Sequence, residues 1–180
     1  MAKFLDIENY IIAFDLDGTL VNTDKANSMA YQRSVYDVSG ITIDIDNCRI
    51  TRDSLNNRIN VSDNILQEII VKKEKLFTEY LVCTQPLPAL FILQHLKNTH
   101  NVLLTYARRE RAKSVLEYYG ITSLFDNVYY RDSYLGKSKF DYLINEQHYS
   151  SDKIILFEND KKAIADAIYF GVPQRNIYKS

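Results

Sequence analysis

The chain has 180 residues, of which 46% are hydrophobic, and a formal net charge of -1. That length suffices for one core, or for a core with a small insertion, and the charge balance gives no reason to expect nucleic acid or an acidic membrane surface as a partner. No apolar run reaches membrane-spanning length, Cys48 and Cys83 suggest neither a disulfide scaffold nor a metal-ligand spacing, and Asp6 comes too early for a secretory leader, so a soluble cytoplasmic chain is expected.

In chain order, Tyr10-Ile11-Ile12-Ala13-Phe14 predicts a buried strand. Asp15 and Asp17 follow it directly. In extended backbone, positions two apart point to the same side, so both carboxylates are expected to face one reaction centre, where a cation would relieve their repulsion. Gly18 lets the chain turn sharply just after them. Thr23–Val38 reads as a helix closed by Ser39-Gly40. Val61–Val82 reads as a longer one, with Ile65, Ile69, Ile70, Leu76 and Leu81 as its apolar positions and Ser62 or Asp63 as cap. Between them, Ile41–Asn60 reads as polar and irregular. Gln85-Pro86-Leu87-Pro88 is punctuation, and Ala89–Lys97 resumes a strand-and-helix rhythm.

Further strands are predicted over Asn101–Leu104, Asn127–Tyr130 and Ile154–Phe157, with a short last one near Asn176–Tyr178. The helical patterns are Arg109–Tyr119, stopped by Gly120, then Ser138–Glu146 with Phe140, Leu143 and Ile144 on one face. The last is Lys161–Phe170 with Ile164, Ala167 and Ile168, closed by Gly171 and Pro173. Alternating strand and helix imply an α/β fold, a doubly wound parallel sheet with helices on both sides. Residues 1–21 and 86–180 form the core in this reading. Residues 22–85 are a small helical insertion after the first strand, over the sheet edge where open α/β sheets bind ligands.

Asp15-Leu16-Asp17-Gly18-Thr19-Leu20 resembles the first motif of the haloacid dehalogenase (HAD) superfamily, and the resemblance extends over essentially the whole chain. The second motif, a Ser or Thr ending the next core strand, is matched by Val102-Leu103-Leu104-Thr105. The third, a Lys often found as Gly-Lys-Pro, is matched without its proline by Gly136-Lys137-Ser138; Lys139 is a rival, with Lys137 favoured for Gly136 and for its spacing to Tyr142. The fourth, an acidic cluster after a hydrophobic strand, is matched by Ile154-Ile155-Leu156-Phe157-Glu158-Asn159-Asp160, with Gly171 at the expected end of the following helix. The helical insertion after the first motif is similar to that of the subfamily containing phosphoglycolate phosphatase and β-phosphoglucomutase, and implies a HAD-like Rossmannoid core with an all-helical cap.

The resemblance implies a magnesium-dependent phosphatase acting on a small phosphorylated metabolite. Asp15 would attack phosphorus to form an aspartyl-phosphate. Asp17 would protonate the leaving oxygen and then activate water; dehalogenases and ion-pumping ATPases of the superfamily do not carry Asp there. Thr105 would hydrogen-bond a phosphoryl oxygen and Lys137 would offset its charge. Substrate contacts are implied at Gly18, Thr19, Ala107 and Arg108. Magnesium would be held among Asp15, Asp17 through its backbone carbonyl, Glu158, Asn159 and Asp160. Asn159 departs from the acid many relatives carry there, so the ion would be held more weakly, with Asp160 as a compensating ligand. Arg108, Arg109 and Arg111 read as a solvated basic face, any of which could instead bind substrate. Arg49, Arg52, Asn56, Asn57 and Arg58 are candidates for recognising the leaving group, or an ordinary polar loop. A phosphomutase of the β-phosphoglucomutase kind would use the same motifs, and a HAD-fold binding module with little catalysis is the third reading. Oligomeric state is not legible.

Overall fold

Four apolar residues in a row, with no polar alternation, need cover on both faces of a sheet. Ile11–Phe14 forms such a strand, β1, and all four residues are buried. The computed structural model describes residues 9–45, 50 and 52–179, with the side chains of Arg52 and Asp53 outside that description. After β1 come β2 (Val21–Asn22), α1 (Asp24–Ser39), α2 (Arg52–Arg58), α3 (Asp63–Leu76) and β3 (Gln85–Pro86). They are followed by α4 (Pro88–His95), β4 (His100–Leu104), α5 (Arg109–Tyr118) and β5 (Asn127–Tyr129). The chain ends with α6 (Lys139–Asp141), which continues as a π-helical turn over Tyr142–Glu146, then β6 (Ile154–Glu158), α7 (Lys161–Tyr169) and β7 (Ile177–Lys179).

Five strands form one parallel sheet in the order β5-β4-β1-β6-β7. β1 lies at its centre, with Ala13 paired to Val102 on one side and to Leu156 on the other. Neighbouring side chains of a strand point to opposite faces. Ile11 and Ala13 accordingly join Val102, Leu104, Ile154 and Leu156 in a core cluster closed by Phe140, Leu143, Ala163 and Ala167. Phe14 stacks on Phe157, with ring centroids 4.8 Å apart, and meets Phe125 edge-on. The helix after the last long strand buries Ala163 and Ala167, whereas Ile168 is exposed. Of the apolar face expected at Ile164, Ala167 and Ile168, Ala167 is buried and Ile164 half-buried, while Ala163 takes the place of Ile168, because small residues at i and i+4 let the helix approach the sheet closely.

Residues 22–85 form one of two compact units, and the described residues up to Val21 together with those from Pro86 form the other. β2 and β3 pair as a two-stranded ribbon where the chain passes between the units. In the unit of residues 22–85, α1 packs on α3, and Tyr31, Val35, Leu66, Ile69 and Ile70 share a core with Ile43, Ile50, Leu55 and Ile59. The segment expected to be irregular contains α2. Leu55 and Ile59, one helical turn apart, supply an apolar face that its polar neighbours obscure in the sequence. Buried Asn27 donates to the Ile50 carbonyl at 2.8 Å and Gln32 to that of Ile43 at 2.8 Å, which ties this segment to α1. The long helix expected over Val61–Val82 is α-helical only to Leu76 and continues as a 3-10 helix over Phe77–Cys83. Cys83 carries a free thiol, and Cys48 lies outside the described residues. Among the described residues, no helix is long and apolar enough to cross a membrane.

Phe140 is fully buried in the cluster beneath the sheet, and it stands one residue after Lys139. Phe140→Ala should cost about 3–5 kcal/mol, read as a lowered midpoint in urea unfolding. A loss smaller than about 1 kcal/mol would contradict the packing described.

Candidate active site

In a parallel sheet with helical crossovers, the strands end together along one edge, and residues just past those ends converge. β1, β4 and β6 deliver Asp15, Thr105 and Glu158-Asn159 to that edge. Two backbone hydrogen bonds extend the ladder to the first two: Asp15 N–H donates to the Phe157 carbonyl at 3.0 Å and Thr105 N–H to the Tyr129 carbonyl at 3.1 Å.

The centre of this cluster is an ammonium group. Lys139 is only 1% exposed. Its Nζ donates to Asp15 Oδ1 at 2.9 Å, to Glu158 Oε2 at 2.6 Å and to the Leu104 carbonyl at 3.1 Å. Three donors meet three acceptors, which satisfies the group completely. Tyr106 covers it, with the ring centroid 5.2 Å from Nζ, and the Tyr106 hydroxyl accepts the Lys139 backbone N–H at 3.3 Å. Helix geometry sets the position of the lysine. Ser138 caps α6 by accepting the backbone N–H groups of Phe140 and Asp141, so Lys139 is the first helical residue and Phe140 the anchor behind it.

Burial raises the Asp15 carboxyl; the Lys139 ammonium opposes this, Glu158 adds to it, and the result is pushed up to about 7. Burial alone would lower Lys139, but the carboxylates of Asp15 and Glu158 outweigh it and hold the ammonium above its ordinary value. The cluster thus contains a firmly protonated lysine and one more carboxylate than its charge can neutralise. Glu158 is further fixed by accepting the backbone N–H groups of Asn159 and Asp160 on Oε1, each at 3.0 Å.

Asp17 has a different partner. The strand ends at Phe14, and the chain then turns, with Leu20 N–H and Val21 N–H both donating to the Leu16 carbonyl. The two acids pair with different cations. Asp15 meets Lys139 of α6, while Asp17 meets Arg111 of α5. The turn depends on Gly18, whose φ is +86° and where an added Cβ would lie 2.4 Å from Asn159 Nδ2. The amide of Asn159 therefore packs directly on the Gly18 backbone, and its Oδ1 accepts a hydrogen bond from Thr19 Oγ1 at 3.3 Å.

The remaining candidates divide. Thr105 is buried, and its Oγ1 accepts the Ala107 N–H at 3.0 Å. Lys137 is exposed and paired with Glu146, so the lysine at Asp15 is Lys139 and not the favoured Lys137. The matching Gly-Lys pair lies in the loop before the Ser138 cap, whereas a buried position begins with the helix. Asp160 Oδ1 accepts the Ala163 N–H at 2.8 Å and caps α7. Arg108 is exposed. The expected solvated face of α5 fails at Arg111, which is only 12% exposed. In the other unit, Asn56, Asn57 and Arg58 are exposed on α2, while Arg49 and the Arg52 side chain lie outside the described residues. The residues that motif spacing did not single out are Arg111 and Tyr106. Ser138 as a helix cap was the available signal for Lys139; Arg111 had none beyond its place in the first turn of α5.

A family model described as haloacid dehalogenase-like hydrolase matches residues 12–174. No curated protein matches the chain in sequence. Among solved structures, a predicted phosphoglycolate phosphatase from Haemophilus somnus is 18% identical, with a TM-score of 0.75 over 91% of this chain and 83% of that one. CbbY from Rhodobacter sphaeroides, in complex with phosphate, is 14% identical, with a TM-score of 0.72 over 91% and 83% of the two chains. A candidate β-phosphoglucomutase from Thermotoga maritima is 20% identical, with a TM-score of 0.70 over 94% and 84%. At these identities the likeness establishes a shared fold.

The two lysines separate in an unfolding experiment. Lys139→Met leaves two buried carboxylates without their cation and should cost about 3–5 kcal/mol, whereas Lys137→Met should leave the urea midpoint unchanged. Equal effects would contradict the assignment. The raised Asp15 carboxyl makes stability depend on pH. The native state holds this proton more tightly than the unfolded chain does, so the contribution of Asp15 to stability falls as pH rises from about 4 to about 7. Asp15→Asn should therefore gain thermal stability relative to the unmutated protein as pH rises through that window; a difference that is flat with pH would contradict it.

Proposed function

The chain belongs to the haloacid dehalogenase-like hydrolase family, and on that premise we propose that it hydrolyses a small phosphomonoester through an aspartyl-phosphate formed on Asp15. The observation that carries this reading is the Lys139 ammonium bridging Asp15 and Glu158 at the sheet edge. A carboxylate attacking a phosphate ester meets another anion, and it needs a fixed cation beside it that does not give up its proton. Lys139 meets both conditions.

In the first step an Asp15 oxygen bonds to phosphorus, the ester P–O bond breaks, and Asp17 gives its proton to the leaving oxygen. In the second, water attacks phosphorus, Asp17 takes a proton from it, and the Asp15–phosphorus bond breaks to release phosphate. The Thr105 hydroxyl oxygen accepts from Ala107 N–H, which leaves its own O–H to donate to a phosphoryl oxygen. The unit of residues 22–85 serves as the cap in this reading and chooses the leaving group.

Magnesium suits only part of the expected ligand set. Among the described residues, no three acidic, imidazole or thiol side chains stand together as a metal-holding group. Asp17, Glu158 and Asp160 engage Arg111, Lys139 and the first turn of α7. A hard cation accepts one carboxylate with neutral oxygens and substrate phosphate, so Asp15, the Asn159 amide oxygen and the Asp17 backbone carbonyl are the residues that would hold the ion. When bound, it would offset phosphoryl charge.

With p-nitrophenyl phosphate and magnesium, the purified protein should release nitrophenol, and Asp15→Asn should lower the rate by at least about 1000-fold. No turnover across a broad panel of phosphomonoesters would sink the reading in favour of a binding module. Isomerisation of a sugar phosphate that depends on a sugar bisphosphate would replace hydrolysis with the mutase reaction. Asn159→Asp adds a charged ligand and should lower the magnesium concentration for half-maximal activity about tenfold; an unchanged requirement would remove Asn159 from the ligand set.

A further inference from the structure

Three arginines open the α5 region, and they have different environments. Arg108 is exposed, and the Arg109 guanidinium lies 4.8 Å from the centroid of the Tyr130 ring. Arg111 Nη2 donates to Asp17 Oδ1, with the two side chains 12% and 11% exposed. An ion pair shielded to this degree is screened little by salt, and a guanidinium keeps its charge and its fixed donor directions throughout the working pH range. Both ends of the pair rest on ordered backbone. α5 is anchored by buried Ala112, Val115 and Leu116. The turn carrying Asp17 is closed by Gly18 N–H donating to the Val21 carbonyl at 2.8 Å and Leu20 N–H to the Leu16 carbonyl at 3.0 Å.

We infer that Arg111 is a positioning residue that orients the Asp17 carboxyl group for proton exchange with the ester oxygen. The inference rests on the phosphatase reading above. A guanidinium only donates hydrogen bonds, so the oxygen that faces it, Oδ1, cannot carry the transferable proton toward it. Proton transfer falls to Oδ2, and the fixed donor direction of Arg111 Nη2 at Oδ1 limits how the carboxyl group turns and so where Oδ2 is presented. The proton passes from Oδ2 to the leaving oxygen as the ester bond breaks, and Oδ2 recovers a proton from the attacking water. Arg111 changes no bond itself. Its effect should scale with how much the leaving oxygen needs a proton, since a nitrophenolate departs unaided and a more basic phenolate does not.

The test uses substituted phenyl phosphates from p-nitrophenyl to p-methoxyphenyl, which alter leaving-group basicity with little change in shape. Arg111→Met should reduce kcat/KM, which reports the step that expels the leaving group and not the later attack of water common to every ester, by about tenfold or more on p-methoxyphenyl phosphate and by no more than about twofold on p-nitrophenyl phosphate. Arg111→Lys should recover part of the difference. A parallel loss of kcat/KM across the series, or none, overturns the positioning role while leaving the phosphatase reading intact. An unmutated protein inactive on every ester sinks the phosphatase reading and this inference with it. If Arg111→Met does not fold, as judged by its thermal transition, Arg111→Lys decides: the charge remains but the fixed donor direction of the guanidinium is lost, so kcat/KM should still fall more steeply with leaving-group basicity than in the unmutated protein.

Discussion

A buried ammonium shared by two carboxylates organises this molecule's functional edge. Lys139 lies between Asp15, at the end of the central strand, and Glu158, at the end of the strand beside it. Burying three charges is costly, and such a cluster persists only when every hydrogen-bonding position is filled. Here the third proton of Lys139 goes to the Leu104 carbonyl, and the second oxygen of Glu158 takes two backbone N–H groups. Replacing all three charged residues together by hydrophobic ones of similar volume would stabilise the fold at least as well, whereas removing one alone strands the others. The burial that keeps the Asp15 carboxyl high, with the Glu158 charge adding to it, is an expense in stability that makes sense for a reacting group.

The two acids of the Asp15–Asp17 pair are treated unequally by their surroundings. Asp15 is surrounded by groups fixed to α6 and β6, and Asp17 by a guanidinium fixed to α5. Distinct environments for two nearby carboxyl groups allow distinct duties, one as nucleophile and one as proton carrier. The turn just after them tolerates only glycine at position 18, because its φ is positive and Asn159 packs against its backbone. That contact links the first motif to the strand end of β6 through Thr19 and Asn159, a neutral join where an acidic residue would have placed a further negative charge.

Much of the core was legible in the residues. The apolar runs at Ile11–Phe14, Val102–Leu104 and Ile154–Leu156 could only be buried parallel strands, and Gly120 and Gly171 marked where helices stop. Order along the chain placed Asp15, Thr105 and Glu158 at strand ends, because that follows from local pattern and from the rule that such ends converge. α2 escaped notice because its apolar side consists of Leu55 and, just past its end, Ile59, in a polar background. On α7, Ala167 was legible and Ala163 was not, because alanine carries little hydrophobic signal although close helix-sheet packing favours it.

The sequence by itself determined which chemistry-bearing residues stand at the edge of the sheet, since strand, turn and helix signals are local and set the order of the elements. Only the tertiary structure decided which cation each carboxylate meets. Lys137 and Lys139 differ by two residues and share a chemistry, yet a helix start at Ser138 and the burial of Phe140 turn one toward Asp15 and leave the other in solvent. Arg111 is 94 residues from Asp17, and nothing local marks it out. Pairing across such a separation depends on how α5 packs against the sheet, a property of the folded molecule and of no segment alone.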